Sequence, residues 1–138
     1  MSPRDTSTGR VLEAMVLPAL CRSGYSYDLQ QNIGDRLGGG RHYVDVVARK
    51  LDQRFLVSLK WQQVSGTAEQ KVPFEVICLA EAVRSGAFIR AYLVLGGDGW
   101  KLRHFYTSGG LGQYLVDVDK VAILTLDSFV ALANRGKL

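Results

Sequence analysis

The sequence predicts an α/β domain in which a central mixed β-sheet is flanked by helices on both faces. Helical and extended segments alternate along the chain, and the extended segments are rich in β-branched and aromatic residues. One of these segments, AFIRAYLVLGG, is a long apolar run, which is typical of a strand buried between two helical layers. With 138 residues, 47% of them hydrophobic, the chain suits a single domain over residues 1–138.

The element order is helix, three strands, helix, two strands and helix. The first helix lies in VLEAMVLPALCRSG, where Pro18 predicts a bend or an early stop and Gly24 marks the end. Three strands follow, in YSYDLQQNIGDRL, RHYVDVVARK and RFLVSLKW, and their short connections predict an antiparallel meander. A helix from Pro73 to Gly86 comes next.

The remaining elements are two strands, in AFIRAYLVLGG and VAILTL, and a closing helix in SFVALANRG with Asp127 as its cap. The segment KLRHFYTSGGLGQYLVDVDK between the strands is consistent with a short helix or with loops only. Residues 1–7 are polar and predict a frayed end.

Composition sets broad limits on function. The formal charge of +4 is compatible with a polyanionic partner and equally with an ordinary basic protein. Cys21 and Cys78 lack metal-ligand spacing and predict small buried residues in a reducing compartment. No signal-peptide pattern and no apolar run of about 18 residues is present, so we expect a cytoplasmic protein without membrane contact.

Lys60 is a charged residue within an otherwise apolar strand. Alternation along the strand puts Ser58, Lys60 and Gln62 on one face. A half-buried lysine costs several kcal/mol of desolvation unless a negative group faces it. Asp45 lies within the equally apolar run VDVV of the preceding strand, and a short turn between the two strands brings it beside Lys60.

Two glutamates extend this cluster. Glu75 falls in the first turn of the helix that begins at Pro73, on its apolar face, and Glu13 has apolar residues three, four and seven positions later. If these carboxylates converge with Asp45 and Lys60, they supply hard oxygen ligands beside a cation. That combination predicts a Mg²⁺ site with an accessory lysine. Phosphodiester hydrolysis requires these groups.

At these positions the chain resembles the PD-(D/E)XK nuclease superfamily. Asp45 matches the aspartate that the family carries on its second strand, and Lys60 matches the lysine on its third strand. The resemblance covers most of the chain, because the element order also agrees. It implies a restriction-endonuclease-like core and a Mg²⁺-dependent DNA endonuclease in which Mn²⁺ substitutes.

Two residues depart from the family's motif. Val44 stands where the motif has proline, and Ser58 stands where it has the acid that binds metal. Some restriction enzymes of the superfamily carry the same Ser-x-Lys pattern and take the missing carboxylate from the following helix. This resemblance assigns that part to Glu75, with Glu69 as the alternative.

The resemblance and the positions of the polar residues together give three sets of candidates. The catalytic set is Asp45, Ser58, Lys60, Gln62 and Glu75; the metal ligands are Asp45, Glu75 and Glu13; the DNA contacts are Arg41, Lys71 and Gln63. Lys60 serves the attacking water or neutralises the phosphate. His42 and His104 lack partners at zinc or triad spacing, so no metal-binding or nucleophilic role is predicted for them.

The expected partner is double-stranded DNA, cut by a homing, restriction, junction-resolving or repair enzyme. So short a chain leaves little room for a separate recognition domain, which favours a homodimer or homotetramer with one site per subunit. Other interpretations stay open. Ser58 in the acid position fits a catalytically inactive nucleic-acid-binding or assembly module, a metal-independent RNA-cleaving relative is a third class, and Asp45 with Lys60 could form a structural ion pair.

Overall fold

The computed structural model describes residues 6–138 as an α/β fold built on one five-stranded sheet. The strands are β1 (Ser26–Asp35), β2 (Arg41–Lys50), β3 (Gln53–Trp61), β4 (Arg90–Gly96) and β5 (Val121–Thr125). They lie side by side in chain order. β1, β2 and β3 form an antiparallel meander, whereas β3, β4 and β5 run parallel, so the sheet is mixed as predicted.

Helices cover both faces of the sheet. They are α1 (Thr6–Val11), α2 (Leu17–Arg22), α3 (Ala68–Arg84), α4 (Arg103–Thr107) and α5 (Leu126–Asn134), with a π-helical turn at Leu12–Val16 and 3₁₀ turns at Gly110–Gln113 and Val118–Lys120. One apolar core lies between the sheet and α3, α4 and the first 3₁₀ turn. The other lies between the sheet and α1, α2 and α5. No helix in the described range 6–138 is long and apolar enough to span a bilayer.

The first helix does not stop early at Pro18, which was one of the two outcomes predicted there. The N–H of Leu17 bonds to the carbonyl of Leu12, five residues back, and the π turn ends just before the proline. Since Pro18 has no N–H, widening the preceding turn lets the helical path continue to Arg22 instead of stopping. Gly24, with φ at +89°, follows the helix end in the conformation expected of a terminating glycine.

The long helix α3 begins at Ala68, five residues before the predicted start. Pro73 therefore lies inside the helix, where it cannot donate a hydrogen bond to the carbonyl of Glu69. The hydroxyl of Tyr106 donates to that carbonyl at 2.7 Å. A side chain from another segment thus replaces the missing helical hydrogen bond, which is why a proline is tolerated here.

Three smaller predictions are also corrected. Thr125, not Asp127, caps α5, because its hydroxyl accepts the N–H of Ser128 at 3.3 Å. Cys78 is buried as expected, but Cys21 is exposed. The predicted frayed end is wrong for residues 6–7, which begin α1, and for residues 1–5 it lies outside the described part of the chain.

Candidate functional site

Asp45 lies where β2 and β3 stop pairing. Residue pairs between the two strands run from Lys50 opposite Gln53 to Val46 opposite Val57. Beyond that point the carboxylate of Asp45 accepts the backbone N–H of Leu59 at 2.7 Å. A side-chain oxygen therefore takes the place of a ladder hydrogen bond and holds the strands together where their backbones separate.

The order of buried side chains along β2 also changes at Asp45. Val44 packs in the core beneath α3, whereas Val46 packs in the core on the opposite face. Residues two apart on a regular strand face the same side, so the alternation breaks between these valines. This irregularity leaves Asp45 half-buried where β2 and β3 separate, in a pocket that residues of α1 and α3 also line.

A pocket of about 400 Å³ opens at this point, and we call it the β2–β3 pocket. Its lining residues are Thr8, Gln30, Tyr43, Asp45, Ser58, Leu59, Lys60, Trp61, Ala68 and Lys71. The predicted neighbours Asp45, Ser58 and Lys60 therefore meet in one place, together with Lys71. Ser58 is buried, Lys60 is half-buried and Lys71 is exposed at the pocket margin.

The electrostatics of Asp45 result from opposing effects. Burial raises the pKa of this carboxyl above its usual value, and the negative charge of Glu75 acts in the same direction. The Leu59 N–H, the charge of Lys60 and an amide hydrogen bond from Gln30 at 3.4 Å partly offset that rise. Within residues 6–138, Lys60 has no ion pair as short as 4.0 Å, so its ammonium acts on Asp45 from a distance.

Glu75 lies deeper than expected. It is in the middle of α3 rather than in the first turn, and it is buried. Its Oε1 lies 3.0 Å from Nε2 of His42, which has only 2% of its surface exposed. Glu75 is not among the residues that line the β2–β3 pocket, although it is near enough to raise the pKa of Asp45.

Gln62 is held in a structural network. Its side-chain oxygen accepts the N–H of Ala68 at 3.0 Å, and its nitrogen donates to the carbonyl of Gly99 at 2.8 Å. The predicted alternative ligand Glu69 is also engaged: its carboxylate accepts the backbone N–H groups of Lys101 and Leu102. These contacts join the end of β3, the start of α3 and the segment before α4.

The three remaining candidates lie away from the β2–β3 pocket. Glu13 is exposed, so the expectation that it leans toward the apolar side of its helix is wrong. Arg41 is exposed at the start of β2, and Gln63 is exposed and lines a different pocket. Their roles in metal or DNA binding stay predictions.

Among residues 6–138, no three His, Cys, Asp or Glu side chains are grouped closely enough to enclose a metal ion. Mg²⁺ is often held by only one or two carboxylates and completes its coordination with water and substrate phosphate. The hard carboxylate of Asp45, beside the hydroxyl of Ser58 in a polar pocket, fits this second mode. The donor set does not fit a cage made of protein ligands alone.

A family model described as PD-(D/E)XK nuclease superfamily domain matches residues 4–137, nearly the whole chain. The chain belongs to the PD-(D/E)XK nuclease superfamily. This assignment confirms the predicted family and, with the five-stranded mixed sheet, the restriction-endonuclease-like α/β fold. The members of this superfamily are nucleases, and the polar pocket lies where β2 and β3 separate.

The fold also resembles a solved structure, the crystal structure of the protein of unknown function AF1548. The TM-score is 0.52 at 11% identity, and the alignment covers 88% of this PD-(D/E)XK chain and 63% of that protein. The chain thus spans less than two thirds of that protein's length, and the likeness concerns the fold alone. No curated protein matches the chain significantly.

Two pocket residues and one buried residue were missed by the sequence reasoning. On a regular strand Trp61 would lie on the face opposite Lys60, yet both line the β2–β3 pocket at the end of β3. Tyr43 lines the pocket from β2. His42 is buried against Glu75; its sequence signal was its place two residues before Val44, on the same face of a regular strand.

Proposed function

We propose that this protein is a Mg²⁺-dependent DNA endonuclease with its active site in the β2–β3 pocket. The observation that carries the proposal is the meeting of Asp45, Ser58 and Lys60 in one polar pocket of a PD-(D/E)XK domain. A carboxylate and an ammonium in the same pocket supply the two kinds of charge that phosphodiester hydrolysis requires.

Asp45 is the proposed metal ligand. Its carboxylate is partly removed from water, and burial raises its pKa, so a divalent cation beside it relieves an unfavourable negative charge. The Leu59 N–H fixes the orientation of one carboxylate oxygen. When bound, Mg²⁺ supplies Lewis-acid stabilisation of the phosphate charge; Mn²⁺ is expected to substitute.

Lys60 is proposed to act on the substrate rather than on a protein partner. It is half-buried, lines the pocket and lacks a close ion pair within the described residues. Its ammonium can therefore bond a nonbridging phosphate oxygen or orient the attacking water. Lys71 at the pocket margin and Arg41 at the start of β2 are proposed to hold the DNA backbone, with Gln63 nearby in sequence as a further contact.

The other predicted residues are proposed to support this centre. Glu75 adds negative charge behind Asp45 while one of its oxygens is engaged by His42. Gln62 holds the start of α3 against the end of β3, and Ser58 offers a hydroxyl inside the pocket. Direct metal ligation by Glu75 or Glu13 remains a prediction for a metal-soaked crystal to test.

A plasmid assay tests the proposal. Supercoiled DNA is incubated with the protein and Mg²⁺, with Mn²⁺, and with chelator, and nicked and linear products are followed on a gel. We expect cleavage with either ion and none in chelator. Lys60→Ala is expected to lower the rate by about 100-fold or more, because it removes a charge aimed at the reacting phosphate.

Lys120→Ala is the matched control. Lys120 is also half-buried, but it lies directly before β5, at the opposite end of the parallel strands, so its loss should leave cleavage unchanged. Cleavage that persists in chelator, or that survives Lys60→Ala at the control rate, contradicts the mechanism.

A second candidate function is a catalytically inactive nucleic-acid-binding or assembly module. It is favoured by the buried Ser58 at the acid position and by the lack of a three-ligand group within residues 6–138. The same assay, extended to linear and single-stranded DNA and combined with a gel-shift measurement of binding, separates the two functions: tight binding with no cleavage of any of these DNA forms in either metal identifies the module. Homing, restriction, junction-resolving and repair roles differ in the DNA form that is cut fastest.

A further inference from the structure

Trp61 is a wall shared by two pockets. It is half-buried at the end of β3 and lines the β2–β3 pocket together with Lys60. It also lines a second pocket of about 200 Å³, which we call the rear pocket. The rear pocket further includes Gln63, Gly97, Asp98, Arg103 and Asp127.

The neighbouring strand is adapted to this indole ring. Trp61 is paired in register with Gly96 of β4, and a Cβ atom on Gly96 would lie 2.7 Å from Cε3 of the ring. A side chain there would displace the indole, so glycine lets the ring lie directly against the β4 backbone. Gly97, with φ at +88°, continues the close approach: its Cβ would lie 2.4 Å from the carbonyl oxygen of Gln62.

The two pockets carry opposite charge. Lys60 and Lys71 outnumber Asp45 in the β2–β3 pocket, which suits a phosphate. Asp98 and Asp127 outnumber Arg103 in the rear pocket, which repels a phosphate. A nucleotide has one charged part and one neutral aromatic part. The charge pattern therefore matches a phosphate on one side of Trp61 and a base on the other.

We propose that Trp61 and the rear pocket bind one unstacked base of the DNA strand whose phosphate occupies the β2–β3 pocket. The inference rests on the proposed function and names its substrate class: DNA with an unpaired nucleotide beside the scissile phosphate, as in a junction, flap or bulge. Aromatic side chains stack bases of any sequence, and a base that is already unpaired is the least costly to extrude.

The test measures binding in chelator, where no cleavage interferes. Fluorescence anisotropy gives Kd for three labelled duplexes: one fully paired, one with a single unpaired nucleotide, and one in which that nucleotide is abasic. Wild-type protein is expected to bind the unpaired nucleotide about 10- to 100-fold more tightly than the abasic one. Trp61→Ala should lose this difference, and Trp61→Phe should restore most of it.

Tyr114→Ala is the matched control, because Tyr114 is an exposed aromatic residue that lines neither pocket. It should bind all three duplexes as wild type does. Equal wild-type affinity for the base-containing and abasic duplexes overturns the subsite. The subsite is also overturned if the Trp61→Phe protein is folded, as judged by circular dichroism, and yet binds the base-containing and abasic duplexes equally.

Failure of the subsite and failure of the proposed function are distinguishable. If the plasmid assay shows metal-dependent cleavage and the abasic substitution has no effect, only the subsite is wrong. If the base preference depends on Trp61 and no DNA is cleaved in Mg²⁺, the subsite stands and the nuclease proposal is wrong.

Discussion

Polar groups beneath α3 and polar groups in the β2–β3 pocket are partnered differently. Beneath α3, the buried carboxylate of Glu75 contacts His42, and the carbonyl of Glu69 accepts the Tyr106 hydroxyl. In the pocket, Asp45 has one short hydrogen bond and one long one, and Lys60 lacks a close ion pair within residues 6–138. Both regions contain a carboxylate that is partly or fully removed from water, so burial alone does not distinguish them.

The difference teaches which carboxylate is available to a ligand. A buried polar group with a protein partner mainly stabilises the fold, and removing the partner leaves an uncompensated charge. A half-buried group with incomplete pairing and a raised pKa is typical of a functional site. Variants beneath α3 should therefore reduce stability, whereas variants in the pocket should reduce activity.

The largest effect is expected from His42→Ala, which leaves the Glu75 carboxylate buried without its partner. Removing one member of a buried pair costs about 3–5 kcal/mol of unfolding free energy. Glu75→Gln should cost only about 1 kcal/mol, because the amide removes the charge and can still bond the imidazole. Urea-induced unfolding measures both values.

Arg49→Ala is the control for this measurement. It breaks the exposed pair between Arg49 and Asp28, whose atoms are 3.2 Å apart, and should cost less than about 1 kcal/mol. If His42→Ala lowers the unfolding free energy no more than Arg49→Ala does, the buried His42–Glu75 pair does not stabilise the fold. The contrast between structural groups beneath α3 and functional groups in the pocket is then wrong.

Asp45→Asn is expected to lower the cleavage rate by about 100- to 1000-fold without loss of stability. Burial raises the pKa of Asp45, so the folded state binds this proton more tightly than the unfolded state does. The resulting stabilisation is complete below the unfolded pKa, near 3.8, and is lost as pH rises through the higher folded value. Asparagine keeps an oxygen that accepts the Leu59 N–H. Because it does not titrate, the loss of stability with rising pH that Asp45 causes is absent from this variant.

Stability of the Asp45→Asn protein is measured by urea unfolding in chelator at acid and neutral pH. We expect it to equal or exceed wild type at neutral pH and to vary less across the window above pH 3.8. Asp28→Asn, which changes a carboxylate on β1 outside the β2–β3 pocket, serves as the control for activity. An Asp45→Asn protein that is active but unstable would place Asp45 among the structural groups.

The same contrast explains what the sequence could predict. The bounds of β2 and β3 were predicted within one residue, because alternation and turn residues are local signals. The proximity of Asp45 and Lys60 followed from the hairpin that joins these strands. The short turn between β2 and β3 determines which residues of the two strands lie near each other, so no distant part of the chain has to be known.

The layer beneath α3 depends on distant residues and was predicted less well. His42 and Glu75 are 33 positions apart, and no local pattern pairs them. A proline normally marks a helix start, but the Tyr106 hydroxyl donates to the Glu69 carbonyl, 37 positions away, and lets Pro73 lie inside α3. Glu75 was consequently expected in a first turn, near a metal, and is found in mid-helix against a histidine.

The smallest effect is expected from Tyr106→Phe, which tests whether the Tyr106 hydroxyl replaces the helical hydrogen bond that Pro73 cannot make. Tyr106→Phe should cost about 1–2 kcal/mol of unfolding free energy, because the Glu69 carbonyl then has neither a helical donor nor the hydroxyl. In a Pro73→Ala background the alanine N–H can donate to the same carbonyl, so Tyr106→Phe should cost measurably less. A double-mutant cycle by urea unfolding gives the coupling between the two positions. Additive costs would show that the hydroxyl and the missing helical hydrogen bond are unrelated, and Pro73 would need another explanation.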